Sequence, residues 1–247
     1  MNDQVKSASR VLDILELFSS VPGPMGVSDV AKRLDLPKSS AQALLLTLAA
    51  RGYLARQGAD YLLPPELKGG WVGGLRTRLQ SIAAPVMERA ARESGESLFI
   101  GILAHTGQVQ YLAKTVSAQE IRYDAALQPL RPAHCTSMGL VMLAHAPGYE
   151  PGDAAFQAYT QHTVTDPAKI ARLLADARRD GYAEVLDGHV EGASGVSAPI
   201  FDSGGVVVAA LNIGAPTWRY ERNRKLLIDI VCREAQAVTA LLRGTAA

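Results

Sequence analysis

Hydrophobic residues recur at helical spacing in three short segments near the start of the chain, with polar residues between them. Apolar side chains at i, i+3, i+4 and i+7 share one face of an amphipathic helix. The pattern therefore predicts three helices, of which the third begins at Pro37. Their apolar faces are Val11, Ile14, Leu15 and Phe18; Val27, Val30, Ala31 and Leu34; and Ala41, Leu44, Leu45 and Leu48.

Only Asp35-Leu36-Pro37 separates the second predicted helix from the third. So short a connection is typical of a helix-turn-helix, in which the second helix of the pair reads DNA. Further along, the β-prone runs 53–56 and 61–63 flank Gln57-Gly58-Ala59-Asp60, which predicts a hairpin. Three helices and a hairpin in this order predict an N-terminal winged helix-turn-helix.

The outer face of the third helix carries short polar side chains, as a helix in the DNA major groove requires. Basic residues cluster around the two helices and the hairpin, where phosphates would run. An ordinary solvated surface is the alternative for this face, because the domain holds as many acidic as basic residues. The predicted DNA contacts are Lys32, Arg33, Lys38, Ser39, Ser40, Gln42, Thr47, Arg51 and Arg56.

From Glu96 onward the hydrophobic pattern changes to short strands interrupted by helices. One helix is predicted to start near Cys135, one to end at Gly181, and a long one to run through Leu226 and Val238. Strand pairs interrupted by helices indicate an α+β domain with a mostly antiparallel sheet. The predicted strands cover 98–103, 109–114, 120–125, 183–186, 195–201 and 206–213.

The length of 247 residues exceeds that of most single domains, so two domains are expected. A helical stretch with Leu75, Leu79 and Ile82 is predicted to join them and to pack against its copy in a partner chain. A linker weakened by glycine, without a role in assembly, is the alternative. The predicted borders are 1–67 for the winged helix, 68–84 for the linker helix and 85–247 for the second domain.

Composition narrows the classes of function. The net charge of +1 gives the chain no overall attraction to nucleic acid, so any basic patch is local. Neither Cys135 and Cys232 nor the histidines match a metal-ligand spacing, and no metal or cofactor is expected. There is no signal-peptide core and no apolar run of about 18 residues, so no membrane contact is indicated and the cytoplasm is the expected location.

Four stretches stand out by their order and spacing, namely Leu36-Pro37-Lys38-Ser39-Ser40, Gly52-Tyr53-Leu54, Arg131-Pro132-Ala133-His134-Cys135-Thr136 and Gly195-Val196-Ser197-Ala198-Pro199-Ile200-Phe201-Asp202. With them the chain resembles the IclR family of bacterial transcription regulators over roughly its whole length. The resemblance implies a winged helix, a linker helix, a GAF-like effector-binding domain, and homodimers or homotetramers on double-stranded DNA operators. Two departures are Gln42-Ala43, where the family usually has His-Arg, and Leu140, where it usually has Lys.

The resemblance also implies where a small effector binds, namely between the sheet and the helix that starts near Cys135. Backbone N–H groups at a helix N-terminus attract an anion, so a carboxylic or aromatic metabolite is expected. Helix capping and core packing are the alternative roles for these side chains. The implied residues are His134, Cys135, Thr136 and Ser137 at the helix, Ser194, Gly195 and Asn212 on the strands, Glu184 and Asp187 near the mouth, and Arg122 and Tyr123 as looser candidates.

The expected function is therefore that of a ligand-responsive repressor or activator of a catabolic operon, and not that of an enzyme. Two alternatives stay open. Adjacent His134 and Cys135 permit a Cys-dependent enzyme, although sequence neighbours seldom face each other productively and no third catalytic group follows. The other alternative is a small-molecule-binding interaction module whose winged helix binds protein.

Overall fold

The computed structural model describes residues 5–21, 23–64, 75–104, 106–153 and 156–244. The chain divides into two compact units, Met1–Ser81 and Ile82–Ala247. Each unit has its own buried core, which agrees with the expectation of two domains for a chain of this length.

The N-terminal unit is a winged helix-turn-helix, as its hydrophobic pattern predicts. Helix α3 begins one residue later than expected, because Pro37 is extended and forms the cap. A two-residue turn with Gly58 at a positive φ of 65° joins the two hairpin strands. The elements are α1 (Lys6–Ser20), α2 (Val27–Arg33), α3 (Lys38–Ala50), β1 (Ala55–Gln57) and β2 (Asp60–Leu62).

The predicted apolar stripes of the three helices meet in one core. Ile14 and Phe18 of α1 pack with Val30 of α2 and Leu45 of α3, and all four side chains are fully buried or nearly so. Tyr61 of β2 closes this core from the hairpin side. Because α3 turns its apolar stripe inward, its opposite side is left exposed to solvent.

Helix α4 (Leu75–Ser94) contains the part of the predicted linker helix that lies within the described residues. The rest of that prediction, 68–74, lies outside them. The helix continues through Pro85, beyond the predicted border between 84 and 85. The division between the compact units also falls inside this helix. The domain borders given by the sequence therefore stay a prediction.

The C-terminal unit is an α+β domain built on one five-stranded antiparallel sheet, as predicted. The strand order is β4-β3-β7-β6-β5, so that the last two long strands lie in the middle. The elements are β3 (Ser97–Leu103), β4 (Val109–Thr115), α5 (Ser137–His145), α6 (Pro167–Asp180), β5 (Ala183–Leu186), β6 (Ala193–Phe201), β7 (Val207–Pro216) and α7 (Thr217–Arg243).

The prediction of a strand at 120–125 is wrong, because the backbone of this segment pairs with no other strand. Tyr123 instead packs edge-on against Phe99 of β3, with 5.6 Å between the ring centroids. A Cβ added to Gly214 of β7 would lie 2.6 Å from the Tyr123 ring. The segment therefore runs across the face of the sheet, where aromatic packing replaces strand pairing.

The two central strands turn alternate residues to opposite faces of the sheet. Ser197 and Asn212, which are register partners on β6 and β7, face α5. The alternate residues, such as Val196 and Ile213, are fully buried on the other face, and α7 packs against the same two strands. The space between α5 and the sheet therefore lies on the face of the sheet that carries Ser197 and Asn212.

Helix α7 departs from its predicted stripe at one position. Leu226 is 47% exposed, whereas the next residue, Leu227, is fully buried. Ion pairs tie α7 to the C-terminal part of α4, since Glu234 accepts from Arg89 and Arg233 donates to Glu93. None of the helices in the described ranges combines the length and the hydrophobicity that crossing a lipid bilayer requires.

Candidate functional site

The outer face of α3 is the candidate DNA-reading surface. Lys38, Ser39, Gln42 and Thr47 are exposed there, and Ser40 is partly exposed. The Thr47 hydroxyl donates to the Ala43 carbonyl oxygen at 2.8 Å. The Thr47 proton is therefore engaged within the helix, and its methyl group and remaining oxygen lone pair face outward.

Sequence reasoning missed Leu46, an apolar side chain on the same outer face that is 43% exposed. Its position one turn beyond Gln42, outside the apolar stripe, is the signal that identifies it. Side chains of this kind contact the methyl group of thymine in the major groove. The face thus offers both an amide and a hydrophobic group to base edges.

The predicted phosphate contacts are all on the surface of the N-terminal unit. Lys32 and Arg33 end α2, Arg51 follows α3, and each of these three side chains is exposed. The Arg56 guanidinium lies over the Tyr61 ring at 5.7 Å from its centroid. Stacking of this kind holds the basic group of the hairpin in place without neutralising its charge.

A second candidate site is a solvent-open cavity of about 50 Å³ between the start of α5 and the sheet. Seven of the predicted effector contacts line it, namely Tyr123, Cys135, Thr136, Ser137, Ser194, Gly195 and Asn212. The lining is completed by Tyr111, Val185, His189, Val190, Ala193 and Gly214, which the sequence did not single out. The predicted residues are therefore brought together from four parts of the chain.

Helix α5 presents its N-terminus at this cavity. Thr136 is its N-cap, whose Oγ1 accepts from the Gly139 N–H at 3.3 Å and donates to the Pro132 carbonyl at 2.9 Å. The first N–H groups of any α-helix, here those of Ser137 and Met138, have no acceptor within the helix. They make the helix start a donor site for an anion.

Gly139 allows the preceding loop to cross the first turn of α5. A Cβ at position 139 would lie 2.2 Å from the carbonyl oxygen of Ala133 and 2.3 Å from its Cα. No side chain fits at that distance, because the obstacle is backbone that has no rotamer to change. The loop carrying Cys135 is therefore held directly against the helix start.

Asn212 forms the polar floor of the cavity. Its Nδ2 donates to the Val196 carbonyl at 3.1 Å and to the hydroxyls of Ser137 and Ser197 at 3.0 Å each. The carbonyl oxygen can only accept, so the amide orientation is fixed by its surroundings. Asn212 Oδ1 accepts no hydrogen bond from the described residues, and it is the atom that the side chain has left for a ligand.

An aromatic wall stands on the β4 side of the cavity. The centroid of the Tyr111 ring lies 4.9 Å from the centroid of the Phe99 ring and 4.0 Å from Cζ of Arg131. Burial and the neighbouring Tyr123 hydroxyl raise the pKa of Tyr111, so its phenol stays neutral at physiological pH. The sequence alone did not reveal Tyr111 as a lining residue, because a predicted strand does not say which of its two faces meets the ligand.

Two of the predicted effector contacts, Glu184 and Arg122, lie outside the cavity, each for a different reason. Glu184 precedes Val185, which lines the cavity, so its own side chain points to the other face of the sheet and pairs with Arg224. Arg122 is exposed and donates to the Gln119 carbonyl at 3.2 Å. Neither side chain belongs to the cavity lining.

Two further predicted contacts are committed to structural hydrogen bonds elsewhere. His134 Nε2 lies 2.9 Å from the Gln157 carbonyl oxygen, and its ring does not line the cavity. Asp187 adopts a positive φ of 55°, and its Oδ1 accepts from the Gly192 N–H at 2.8 Å and from the Thr217 hydroxyl. Asp187 thus stabilises the β5–β6 loop beside the cavity.

The chemistry of Cys135 does not resemble that of a catalytic thiol. The residue is 2% exposed, and burial raises the pKa of its thiol to about 12. Among the described residues, the His134 ring forms no hydrogen bond with the Cys135 thiol, and its Nε2 lies 2.9 Å from the Gln157 carbonyl oxygen. Within the described part of the chain, no group of His, Cys, Asp and Glu side chains is arranged to hold a metal ion.

Curated relatives match this chain along most of its length. The "HTH-type transcriptional regulator BhcR" of Paracoccus denitrificans is 29% identical over 243 residues, covering 95% of this chain and 86% of the relative. The "Glycerol operon regulatory protein" of Streptomyces coelicolor is also 29% identical, covering 100% of this chain and 99% of the relative.

Solved structures share both the fold and part of the sequence. An IclR homolog from Microbacterium sp. strain HM58-2 is 28% identical, with a TM-score of 0.61 over 95% of this chain and 97% of that one. An IclR homolog from Microbacterium hydrocarbonoxydans, solved as a complex with 4-hydroxybenzoate, is 27% identical, with a TM-score of 0.60 over 96% of this chain and 99% of that one.

Two family profiles match consecutive parts of the sequence. Residues 7–58 match the "IclR helix-turn-helix domain", and residues 75–240 match "Bacterial transcriptional regulator IclR C-terminal". The second match spans well over half of the chain and coincides with the sheet and helices around the cavity. The chain therefore belongs to the IclR family of bacterial transcriptional regulators.

Proposed function

We propose that this regulator controls a catabolic operon in response to a small organic carboxylate, and that an aromatic acid suits the cavity best. The observation that carries the proposal is the placement of the α5 N-terminus, whose first N–H groups have no acceptor within the helix, beside the aromatic wall of Tyr111 and Tyr123. A carboxylate accepts from the N–H groups, and an aromatic ring stacks on the wall.

Relatives support the chemical class of the effector. The Microbacterium hydrocarbonoxydans homolog forms a complex with 4-hydroxybenzoate, an aromatic carboxylate. The "Pca regulon regulatory protein" of Pseudomonas putida is 27% identical over 90% of this chain and 78% of the relative. In this chain, Asn212 Oδ1 would accept from a second polar group of the ligand.

The DNA-binding half of the function depends on α3 and the basic residues around it. Gln42 is the amide on the reading face that is able to pair with adenine, and Leu46 offers an apolar contact to thymine. Lys38, Arg51 and Arg56 supply phosphate contacts. A single unit of this kind binds weakly, so we propose that a homodimer or homotetramer places two reading helices on one pseudopalindromic operator.

The two halves are coupled if the effector binds one conformation of the C-terminal unit better than another. Helix α4 runs from the linker region into that unit, where Arg89 pairs with Glu234 of α7, so it is the element that would transmit the change. A coupling free energy of about 1–3 kcal/mol changes operator affinity roughly 5- to 150-fold. The cytoplasm, where bacterial DNA lies, is the proposed location.

Fluorescence anisotropy on labelled DNA from the protein's own promoter region tests this function. We expect a specific shift at low salt, and a change of at least about fivefold in affinity with saturating 4-hydroxybenzoate or benzoate. A scrambled DNA of equal length and an uncharged analogue, benzyl alcohol, are the controls. Absence of specific DNA binding with and without these acids would contradict the proposal and favour an interaction module.

Catalysis is not part of the proposed function. Incubation of the protein with the same acids, followed by mass analysis of the small molecules, is expected to return them unchanged. A Cys135→Ser variant is expected to keep DNA binding, because Cys135 belongs to the C-terminal unit and the reading helix α3 to the N-terminal one. Turnover that disappears in this variant would restore the enzyme alternative.

A further inference from the structure

His189 lies in the loop between β5 and β6, and its side chain lines the effector cavity. The loop is close to the start of α5, since a Cβ added to Gly188 would lie 3.3 Å from the Cys135 carbonyl oxygen. The Thr160 hydroxyl donates to the Asp187 carbonyl and the Thr163 hydroxyl to the Gly188 carbonyl, at 2.6 Å each. His189 is therefore held at the cavity by a fixed backbone.

The surroundings of His189 are positive or neutral. The Arg131 guanidinium and the His134 ring act on it electrostatically, and the Tyr159 ring meets the imidazole edge-on at 5.2 Å. None of the described residues that line the cavity is acidic. The titratable or charged groups near His189 are Arg131, His134 and Cys135 before α5, Tyr111 on β4, Tyr123 before α5 and Tyr159 after it, and Asp187 and Glu191 on its own loop.

The acidic group nearest in sequence is already satisfied. Asp187 accepts from the Gly192 N–H and from the Thr217 hydroxyl, and it does not line the cavity. Glu191 is exposed on the loop. Within the described residues, a negative charge that enters the cavity would therefore be the partner that His189 lacks.

We propose that His189 recognises the carboxylate of the effector by taking up one proton from solvent as the ligand binds, so that an imidazolium pairs with the bound anion. This inference rests on the proposed carboxylate site and adds the residue that makes anion recognition dependent on pH. The α5 N-terminus supplies fixed donors, whereas His189 supplies a full charge only when an anion is present. No covalent bond forms or breaks except the N–H bond of the imidazolium.

The direction of the pH dependence follows from the electrostatics. In the free protein, burial first, then Arg131 and His134, lower the pKa of His189 below its ordinary value. A bound carboxylate raises that pKa, because it stabilises the charged form. Between the free and bound pKa values binding consumes a proton, so affinity falls as pH rises, by at most about tenfold per pH unit.

Isothermal titration of the full-length protein with benzoate and 4-hydroxybenzoate tests this proposal. Measurements in PIPES and in imidazole, which both buffer below pH 7 and differ in ionisation enthalpy, give the number of protons taken up per ligand. We expect up to one proton for the unchanged protein at a pH between the free and bound pKa values of His189, and none for His189→Gln, whose amide keeps the shape without titrating. His162→Gln is the matched control, because His162 is exposed and does not line the cavity.

Each result has a distinct meaning. Proton uptake that persists in His189→Gln, or binding of the unchanged protein without proton uptake, would overturn the role of His189 while leaving the carboxylate site intact. Failure of the unchanged protein to bind either acid between pH 5.5 and 8 would overturn both proposals. A second variant, His189→Asn, guards against an effect of the Gln side chain on the cavity, and it is expected to lose the pH dependence as well.

Discussion

Asn212 and Ser137 are joined by a hydrogen bond of 3.0 Å that links the central strand β7 to the first turn of α5. The same Ser137 hydroxyl lies 2.9 Å from the Ser197 hydroxyl on β6. The helix that offers its N-terminus to the ligand is therefore tied to the sheet at the floor of the cavity. A ligand that bonds to Ser137 or Asn212 acts directly on this connection.

Replacing Asn212 with Ala is expected to abolish the response to ligand and spare DNA binding. The variant loses the donor to three acceptors, so unfolding free energy should also fall by about 1–3 kcal/mol. Ser197→Ala is the matched control, because Ser197 shares the network without lining the cavity. Calorimetry that finds equal ligand affinity in Asn212→Ala and the unchanged protein would remove Asn212 from the site.

Replacing Lys38 with Ala is expected to weaken binding to all DNA sequences alike. Loss of one phosphate contact reduces the slope of log affinity against log salt by about 1. Anisotropy titrations between about 50 and 200 mM salt measure the slope, and a change of about 1 in the slope alters the loss of affinity across this range by about fourfold. Lys169→Ala, on the exposed side of α6 in the other unit, is the control for net charge. An unchanged slope for Lys38→Ala would contradict its phosphate role.

Replacing Gln42 with Ala is expected to change which operators are preferred. A bidentate amide–adenine contact contributes about 1–3 kcal/mol of discrimination between bases. The difference in binding free energy between operator variants, measured by competition, should therefore decrease by up to that amount. Gln161→Ala, exposed in the C-terminal unit, is the control. If the order of preference among operator variants stays the same, Gln42 does not read a base.

Replacing Arg219 with Ala is expected to destabilise the C-terminal unit strongly. Its guanidinium pairs with Glu96, which is 1% exposed, and also donates to the Ile121 carbonyl at 2.9 Å. Removing one partner of a buried pair leaves an uncompensated charge and costs about 3–5 kcal/mol. Lys225→Ala, which breaks the exposed pair with Asp229, should cost about 0–1 kcal/mol in the same urea titration. Equal effects of the two variants would contradict the buried role of the Arg219 pair.

Cys135 is expected to resist alkylation in the folded protein. Its pKa of about 12 keeps the thiol protonated at pH 8, and burial blocks access. The stability it contributes is fully present below the ordinary thiol pKa and is lost as pH rises from about 9 toward 12, because the unfolded thiol ionises first. Iodoacetamide labelling followed by peptide mass analysis checks this. Rapid labelling of Cys135 at pH 8 without denaturant would refute it.

Much of the fold follows from side-chain periodicity, because the side chains that a helix or strand buries must recur with the period of that element. The stripe of Ala41, Leu45 and Leu48 had to turn inward, which fixed the exposed face of α3. The resemblance likewise pointed to the loop at Cys135. Periodicity does not show which face of a strand meets a ligand. For this reason Glu184 was expected at the cavity, whereas its neighbour Val185 is the residue that lines it.

Contacts between distant segments were also beyond a single sequence. Tyr111 and Tyr123 meet only because the segment 120–125 crosses the face of the sheet. That segment has an alternating pattern typical of a strand, yet its Tyr123 ring packs on Phe99 and its backbone pairs with no strand. His189 was missed for the same reason, since its place beside α5 depends on how the β5–β6 loop folds back.

The close approach at Gly139 has a consequence for anyone who wishes to retune this regulator as a biosensor. Position 139 tolerates no side chain, so a mutant library that includes it would consist mainly of misfolded members. Val190, by contrast, lines the cavity and is 44% exposed, so its side chain is free to vary in size. Diversity placed there would alter which molecules are detected while leaving the anion-binding helix start in place.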